Sequence, residues 1–371
     1  MKILHILNEI KFSGAEVMLK IAAPTFIKNG FDLHVLSTGD AIGEYASILG
    51  TAGYTVRHIP FKKSPKYFVK LYRFLLKEEF DVVHIHPERA FFWHILVAWI
   101  AGTRRIVRTV HDVFLFSGFL QMKRRYQRFI SRKIFKVSFT SISNSVLEIE
   151  KQYFHNPTVL VKNWVDESYF RPPTENEKVI AKKQFGFDTS ATVIISVGTC
   201  NEKKNHYAIF DAISRLNKSI EFPIEYLHRG TGPTQEDEKG YAKKIGVESY
   251  IKFVDYLDDI RIRIAYWASD IFVMSSMYEG LGNVILEAMN CGLPVVLYNV
   301  LGMRDTVAER KGGFLVDPNP NSLAKAIKEL AVDEGLRERM GAEARDSVLK
   351  NFNMQKSLEK LIKLYRREPM V

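Results

Sequence analysis

The feature that most constrains this chain is an alternation that runs through all 371 residues: short runs rich in β-branched residues, each followed by a segment of helical length. Strands joined through helices pair in parallel, and a parallel sheet is covered by helices on its faces. The pattern predicts an α/β protein built of doubly wound parallel sheets. Strands are expected at 3–7, 33–37, 56–59, 82–86, 106–110, 137–142 and 158–161, then at 193–197, 224–227, 251–254, 271–274, 294–298 and 314–316. At roughly 100 to 200 residues per domain the length favours two domains. The segment ESYFRPPTENEK, with its double proline and its charges, suits an exposed connection, so the boundary is placed near residue 172, giving domains 1–172 and 173–352.

Composition narrows the class. With 46% hydrophobic and 26% charged residues the chain is a folded globular protein. Cys200 and Cys291 are the only cysteines, which excludes a disulfide framework and suits a reducing compartment. The longest apolar run, AFFWHILVAWIA at 90–101, contains His94 and falls short of the roughly 20 residues of a membrane span. The apolar run at the N-terminus is too short for a signal-peptide core and reads as a first strand. A cytoplasmic protein is expected.

The net charge of +11 is one-sided: residues 1–165 hold 24 Lys and Arg against 12 Asp and Glu, whereas the rest hold 29 against 30. Such a surface suits nucleic acid, anionic lipid or an anionic substrate. Its densest part is MKRRYQRFISRKIFK at 122–136, following FLFSGFLQ. As a helix this segment aligns Tyr126, Phe129, Ile130, Ile134 and Phe135 in an apolar stripe, with Lys123, Arg124, Arg125, Arg128, Arg132, Lys133 and Lys136 largely around it. Two readings stand: an interfacial membrane helix, or a core-packed helix with a solvated basic back. No helix-turn-helix, zinc-finger or RNP signature accompanies the charge, so nucleic acid is not expected.

In doubly wound sheets ligands sit at the carboxyl ends of strands, and the chemistry-bearing residues fall just there. After the first strand comes NEIKFSGAE, where Ser13 and Gly14 precede a helix and let backbone N–H groups approach an anion; no GxGxxG dinucleotide fingerprint occurs. DVVHIHPER and RTVHDV place His84, His86 and His111 at strand ends, and His111 with Asp112 is the best catalytic candidate of the three. No zinc site is expected of these histidines, since spacing and further ligands are lacking. In VGTCNEKKNH, Lys204 is placed to neutralise a phosphate at a helix N-terminus, with Lys203 as its solvated neighbour. LHRGTGP brings Arg229 to a tight turn at Gly230, Thr231 and Gly232. In the block 268–296 a Ser and Gly loop leads to a helix over 284–290, N-capped by Asn283 and closed by Cys291 and Gly292. Glu279 in the loop and Glu287 in the helix are spaced to serve two parts of one ligand.

Together these residues resemble the retaining glycosyltransferases of family 4, which have the GT-B fold of two facing Rossmann-like domains with an interdomain cleft. The E-x7-E motif, here EGLGNVILE from Glu279 to Glu287, is the most specific element. FSGAE, DVVHIH, TVHD, ISNS, KNWVDESYFRP, VGTCNEKKN, RGTGP and GGFLVDP support it in family order over nearly the whole chain. The resemblance implies a nucleotide-diphosphate sugar donor, UDP-linked by preference, held mainly by the second domain, and a glycan or lipid-linked acceptor held mainly by the first. Lys204 would meet the diphosphate, Glu279 the donor sugar and Glu287 the ribose. Gly14, Thr199, Arg229, Gly230, Gly282, Asn283 and Val284 complete the donor contacts. His111, Glu279 and Lys204 are the catalytic candidates, and Ser13, His86 and Asp112 the acceptor contacts. Thr199 stands where the family commonly has an arginine, and Arg229 or a backbone dipole is expected to compensate. No DxD motif occurs, so neither a metal nor another cofactor is expected. By the same resemblance the C-terminal segment 353–371 packs back on the first domain. The implied role is surface polysaccharide, capsule or lipopolysaccharide synthesis at the inner face of the cytoplasmic membrane. A sugar-nucleotide epimerase and a non-catalytic GT-B scaffold are the rival readings; intact Glu279, Glu287 and Lys204 weigh against the scaffold and Thr199 weighs for it.

Overall fold

In the computed structural model, which describes residues 1–218, 224–307 and 311–369, the chain forms two compact units, Met1–Trp164 with Met354–Val371, and Val165–Asn353. The last two residues of the C-terminal segment lie outside the described residues. The first unit holds β1 (Lys2–Leu7), β2 (Asp32–Ser37), β3 (Thr55–His58), β4 (Val82–Ile85), β5 (Arg105–Val110), β6 (Ser138–Ser141) and β7 (Val159–Leu160). These pair in parallel in the order β3-β2-β1-β4-β5-β6-β7. The second unit holds β8 (Thr192–Val197), β9 (Ile224–Arg229), β10 (Ile251–Val254), β11 (Ile271–Met274), β12 (Val295–Tyr298) and β13 (Gly313–Val316), ordered β10-β9-β8-β11-β12-β13.

Each sheet therefore reverses its winding once, between β1 and β4 and between β8 and β11, and this switch point is where such sheets receive ligands. The central strands are buried on both faces, which is why all six residues of β8 are inside and why its sequence is almost continuously apolar. Parallel register sets His5 of β1 directly beside His84 of β4. Because β4 stops at Ile85, His86 stands just past the strand end.

The unit boundary falls at Trp164/Val165 rather than near residue 172. The reason is hydrogen bonding: the stretch before the proline pair is already tied into the second unit. Tyr169 Oη donates to the Asp259 carbonyl at 2.6 Å, Asn290 Nδ2 to that of Phe170, and Trp267 Nε1 to that of Arg171 at 2.7 Å. The helix Met354–Arg366 belongs to the first unit, where Leu358, Leu361, Ile362 and Tyr365 join the apolar core.

The basic helix, Gly118–Lys133, departs from the core-packed reading, and one of its basic residues lies inside the fold. Arg128 is 1% exposed. Its Nε lies 2.8 Å from Glu150 and its Nη1 3.1 Å from Glu88, which also takes Arg108 at 2.9 Å. Its guanidinium covers the Phe154 ring at 4.2 Å. The aromatic stripe faces outward instead, with Phe119, Met122, Tyr126, Phe129 and Ile134 exposed and only Ile130 and Phe135 half-buried. The buried carboxylate of Glu150 left without its cation would cost several kcal/mol, on the order of 3–5. The rotation of the helix thus follows the ion pairs, not the apolar stripe. No helix among the described residues is long and apolar enough to cross a membrane.

Candidate functional site

In the second unit the site is built around the β8/β11 switch. β8 ends at Val197 and turns through Gly198, over which the Lys204 side chain lies so closely that a Cβ there would stand 3.1 Å from its Cε. Gly230, after β9, packs still closer, and a Cβ there would collide with the Gly198 carbonyl. The two turns are stitched by Gly198 N to Arg229 O at 3.1 Å and Cys200 N to Thr231 O at 3.0 Å. From the other side, Ser275 Oγ donates to the Asn205 carbonyl at 2.8 Å and Met277 N to that of Lys203 at 2.9 Å. The loop after β11 therefore clasps the lysine turn.

Within that clasp Lys204 Nζ lies 2.8 Å from Glu279 Oε1 and Lys203 Nζ 3.6 Å from Oε2. Lys203 is not a solvated bystander: it shares the carboxylate and covers the Tyr278 ring at 4.6 Å. Burial works against the charge of Glu279, but the two ammonium groups outweigh it and hold the carboxyl below its ordinary range. Glu287 meets the opposite fate. It accepts from Tyr266 Oη at 2.9 Å, and burial pushes its pKa up to about 7 despite that bond and the nearby charge of Arg229. Two acids eight residues apart thus have their pKa values moved in opposite directions by their surroundings. Arg229 covers the Tyr256 ring at 5.6 Å, and its buried Nε meets no hydrogen-bond partner among the described residues.

The helix that carries Glu287 spans Asn283–Asn290, and its N-cap is Gly282 at φ +81°, not Asn283. Asn283 is the first helical residue because the chain enters through a left-handed turn that favours glycine. Asn283 and Val284 are half-buried on the first turn. Thr199 is exposed between Gly198 and the buried Cys200.

In the first unit the β1/β4 switch carries histidines. His111 Nε2 lies 2.8 Å from His86 Nδ1, and His86 Nε2 lies 3.0 Å from His5 Nδ1. His84 spans Tyr365 Oη at 2.6 Å and Thr109 Oγ1 at 2.7 Å. Burial depresses all four, His5 and His111 to about 3, and the charge of Arg108 acts in the same direction on His111. These imidazoles are neutral at physiological pH. Ser13 and Gly14 are exposed at the start of the helix Gly14–Lys28, where the Ser13 hydroxyl donates to Glu16, whose buried carboxyl rises to about 7. Asp112 caps its own turn, accepting from the Val113 amide at 2.9 Å.

The structure thus brings His86 together with His111 in one unit, and Lys204 with Glu279 in the other. Sequence reasoning missed His5, Glu16 and Tyr365. His5 had a signal: it sits mid-strand in KILHIL, and a parallel register with DVVHIH sets two mid-strand histidines side by side.

Comparison with known proteins follows the same division. A model described as glycosyltransferase family 4 matches residues 12–169, and one described as glycosyl transferases group 1 matches residues 177–347. The chain is 27% identical over 83% of its length, and 81% of the other's, to a UDP-Gal:alpha-D-GlcNAc-diphosphoundecaprenol alpha-1,3-galactosyltransferase of Escherichia coli. It is 30% identical over 53% of its length, and 56% of the other's, to the lipopolysaccharide core biosynthesis glycosyltransferase LpsE of Rhizobium meliloti. In fold it is similar to Anabaena Alr3699/HepE, solved with UDP and glucose, at a TM-score of 0.84 and 20% identity over 99% of this chain and 100% of that one.

Proposed function

The chain belongs to the group 1, family 4 glycosyltransferases of GT-B fold, enzymes that draw on nucleotide-sugar donors, and from that premise we propose a UDP-sugar-dependent, retaining transfer to a lipid-linked glycan acceptor in surface-polysaccharide assembly. The observation that carries this reading is the clasp of Lys204 and Lys203 on Glu279, in the same unit as a carboxyl, Glu287, that burial brings to a pKa of about 7. Two ammonium groups at the start of a helix suit a diphosphate leaving group, and Lys203 supplies the second cation that Thr199 does not. A divalent ion bridging the diphosphate is then unnecessary. Glu279 contacts the donor sugar, and Glu287, able to donate or accept at neutral pH, takes the ribose hydroxyls.

Chemically, the acceptor hydroxyl oxygen forms its bond to the anomeric carbon on the face that UDP leaves. The bond from that carbon to the phosphate oxygen breaks with its electron pair going to the phosphate, and the hydroxyl proton passes to the departing phosphate oxygen. The lysines neutralise the charge that develops there. His111, Asp112, Ser13 and His86 serve the acceptor side, with His111 oriented by His86. The choice of UDP and of a diphospholipid acceptor is supported by the Escherichia coli relative.

The test is a panel of UDP- and GDP-sugars incubated with EDTA and a lipid-linked acceptor, followed by mass spectrometry and by NMR of the new linkage. UDP release and an axial-type retained linkage, both absent in Glu279→Ala, are expected. An isomerised free sugar nucleotide would instead identify an epimerase, and binding without turnover a scaffold. The outward aromatic stripe of the helix Gly118–Lys133, flanked by exposed Lys123, Arg125 and Lys133, is read as the contact with anionic lipid. Replacing both Phe119 and Tyr126 by Ser should abolish sedimentation with anionic liposomes at low salt; equal sedimentation of wild type with and without liposomes would overturn this part.

A further inference from the structure

Behind the lysine turn four side chains from four separate places converge. Cys200 lies in the turn after β8, His206 precedes the helix Tyr207–Leu216, His228 is in β9 and Glu238 is in the helix Gln235–Lys244. All four are buried, with exposures between 0% and 3%. One ligand-type atom from each lies within 4.8 Å of every other. His228 Nε2 is 3.1 Å from Glu238 Oε2 and 3.5 Å from Cys200 Sγ, and His206 Nδ1 is 3.2 Å from the same carboxylate.

These separations are close to those of a coordination shell. Metal bonds of about 2.0–2.1 Å to nitrogen and oxygen and about 2.3 Å to sulfur, at tetrahedral angles, set neighbouring ligand atoms about 3.3–3.6 Å apart. Charge is compatible as well: the thiolate formed on binding and the Glu238 carboxylate together carry two negative charges, which one divalent cation offsets. An outer layer of partners is in place. Tyr226 Oη stands 2.9 Å from His228 Nδ1, fixing the ring so that Nε2 faces the cluster, and Thr234 Oγ1 donates to Glu238 Oε1 at 2.7 Å.

We propose that Cys200, His206, His228 and Glu238 form a closed, four-ligand site for a zinc-type divalent ion. One sulfur, two imidazole nitrogens and one carboxylate select a borderline-soft ion over magnesium or calcium. With four protein ligands and no open position the ion is structural. On binding it displaces the Cys200 thiol proton to solvent. It staples the turn after β8 to β9 and to both following helices, and Lys203 and Lys204 lie between two of its ligands in sequence. The site is distinct from any ion at a donor diphosphate.

The test uses the full chain, free of any histidine tag, expressed in zinc-supplemented medium. Elemental analysis should find about one zinc per chain. After stripping by a chelator in mild denaturant and refolding, titration with Co2+ should give visible bands of tetrahedral intensity and a near-ultraviolet thiolate-to-cobalt band, and Zn2+ should displace it and raise the melting temperature. Cys200→Ala should lose the thiolate band, and Glu238→Gln should bind Co2+ with altered visible bands. Refolded wild type that takes up less than a tenth of an equivalent of either ion, or binds Co2+ without the thiolate band, overturns the site. So does a thiolate band that persists in Cys200→Ala. The wild-type measurements decide the question even if neither variant folds, and none of the readouts depends on transferase activity.

Discussion

The two units wind their sheets alike and place side chains at the same switch point, yet the chemistry there is opposite. At β1/β4 the groups are imidazoles bonded to one another and kept neutral, because burial and the charge of Arg108 both disfavour protonation. At β8/β11 they are full charges, because Lys204 and Lys203 outweigh the burial of Glu279. Topology gives each site its place, and the neighbours of each side chain set its charge. The first unit is not short of buried charge, but Arg108 and Arg128 are spent on Glu88 and Glu150 inside the fold.

That contrast is breakable. The largest effect is expected from Arg128→Met, which leaves Glu150 and Glu88 short of a cation: about 3–5 kcal/mol of stability in urea unfolding, with UDP affinity of the folded protein unchanged. A loss below about 1 kcal/mol would mean that the buried pairs of the first unit are dispensable. Next, Lys204→Ala should lower kcat/KM for the donor by about 100- to 1,000-fold, read as nucleotide release. A loss under about tenfold would assign the diphosphate charge to Lys203 instead.

Glu287→Gln sharpens the comparison through pH. The pKa of Glu287 rises from the ordinary 4.5 to about 7 on folding, so the native state holds its proton longer than the unfolded chain does. The stability tied to this proton is complete below about pH 4.5 and is lost as pH rises through about 7, by up to about 3 kcal/mol. Relative to wild type, the variant should gain melting temperature from pH 5 to about pH 7 and level off by pH 8. The slope that persists in it combines Glu16, which has a similar pKa in the first unit and acts in the same sense, with the depressed histidines, which act in the opposite sense below about pH 6.5. The smallest effect is expected from His86→Asn: about a tenfold loss in kcat/KM for the acceptor, the worth of one orienting hydrogen bond, with donor KM unchanged. In wild type the imidazoles should add no inflection to the acceptor profile between pH 6 and 8; one that disappears in His86→Asn would show that the relay titrates after all.

Much of the fold was legible from local pattern. All thirteen strands lie where runs such as VIISV and IFVM put them, within one or two residues, since a buried parallel strand has to be apolar along its length. The E-x7-E spacing likewise placed Glu279 in a loop and Glu287 in a helix. At the basic helix patterning left two readings open, and the outward apolar stripe goes against the core-packed one; what patterning missed is Arg128, which carboxylates from β4's following loop and from the helix Asn144–Phe154 claim inside the fold. Patterning misled at Lys203, whose ion pair depends on a residue 76 positions away.

The sequence by itself determined the class of sheet, the number of strands, the family and the residues at the strand ends, because periodicity, turn chemistry and motif spacing are local properties of the chain. Only the tertiary structure decided which charges are paired, that Glu287 stays protonatable while Glu279 does not, that three histidines form a wire, and that Cys200 meets His206, His228 and Glu238. Each of those depends on distance through space and on exclusion of water, and a parallel sheet sets both by register and crossover rather than by neighbourhood along the chain.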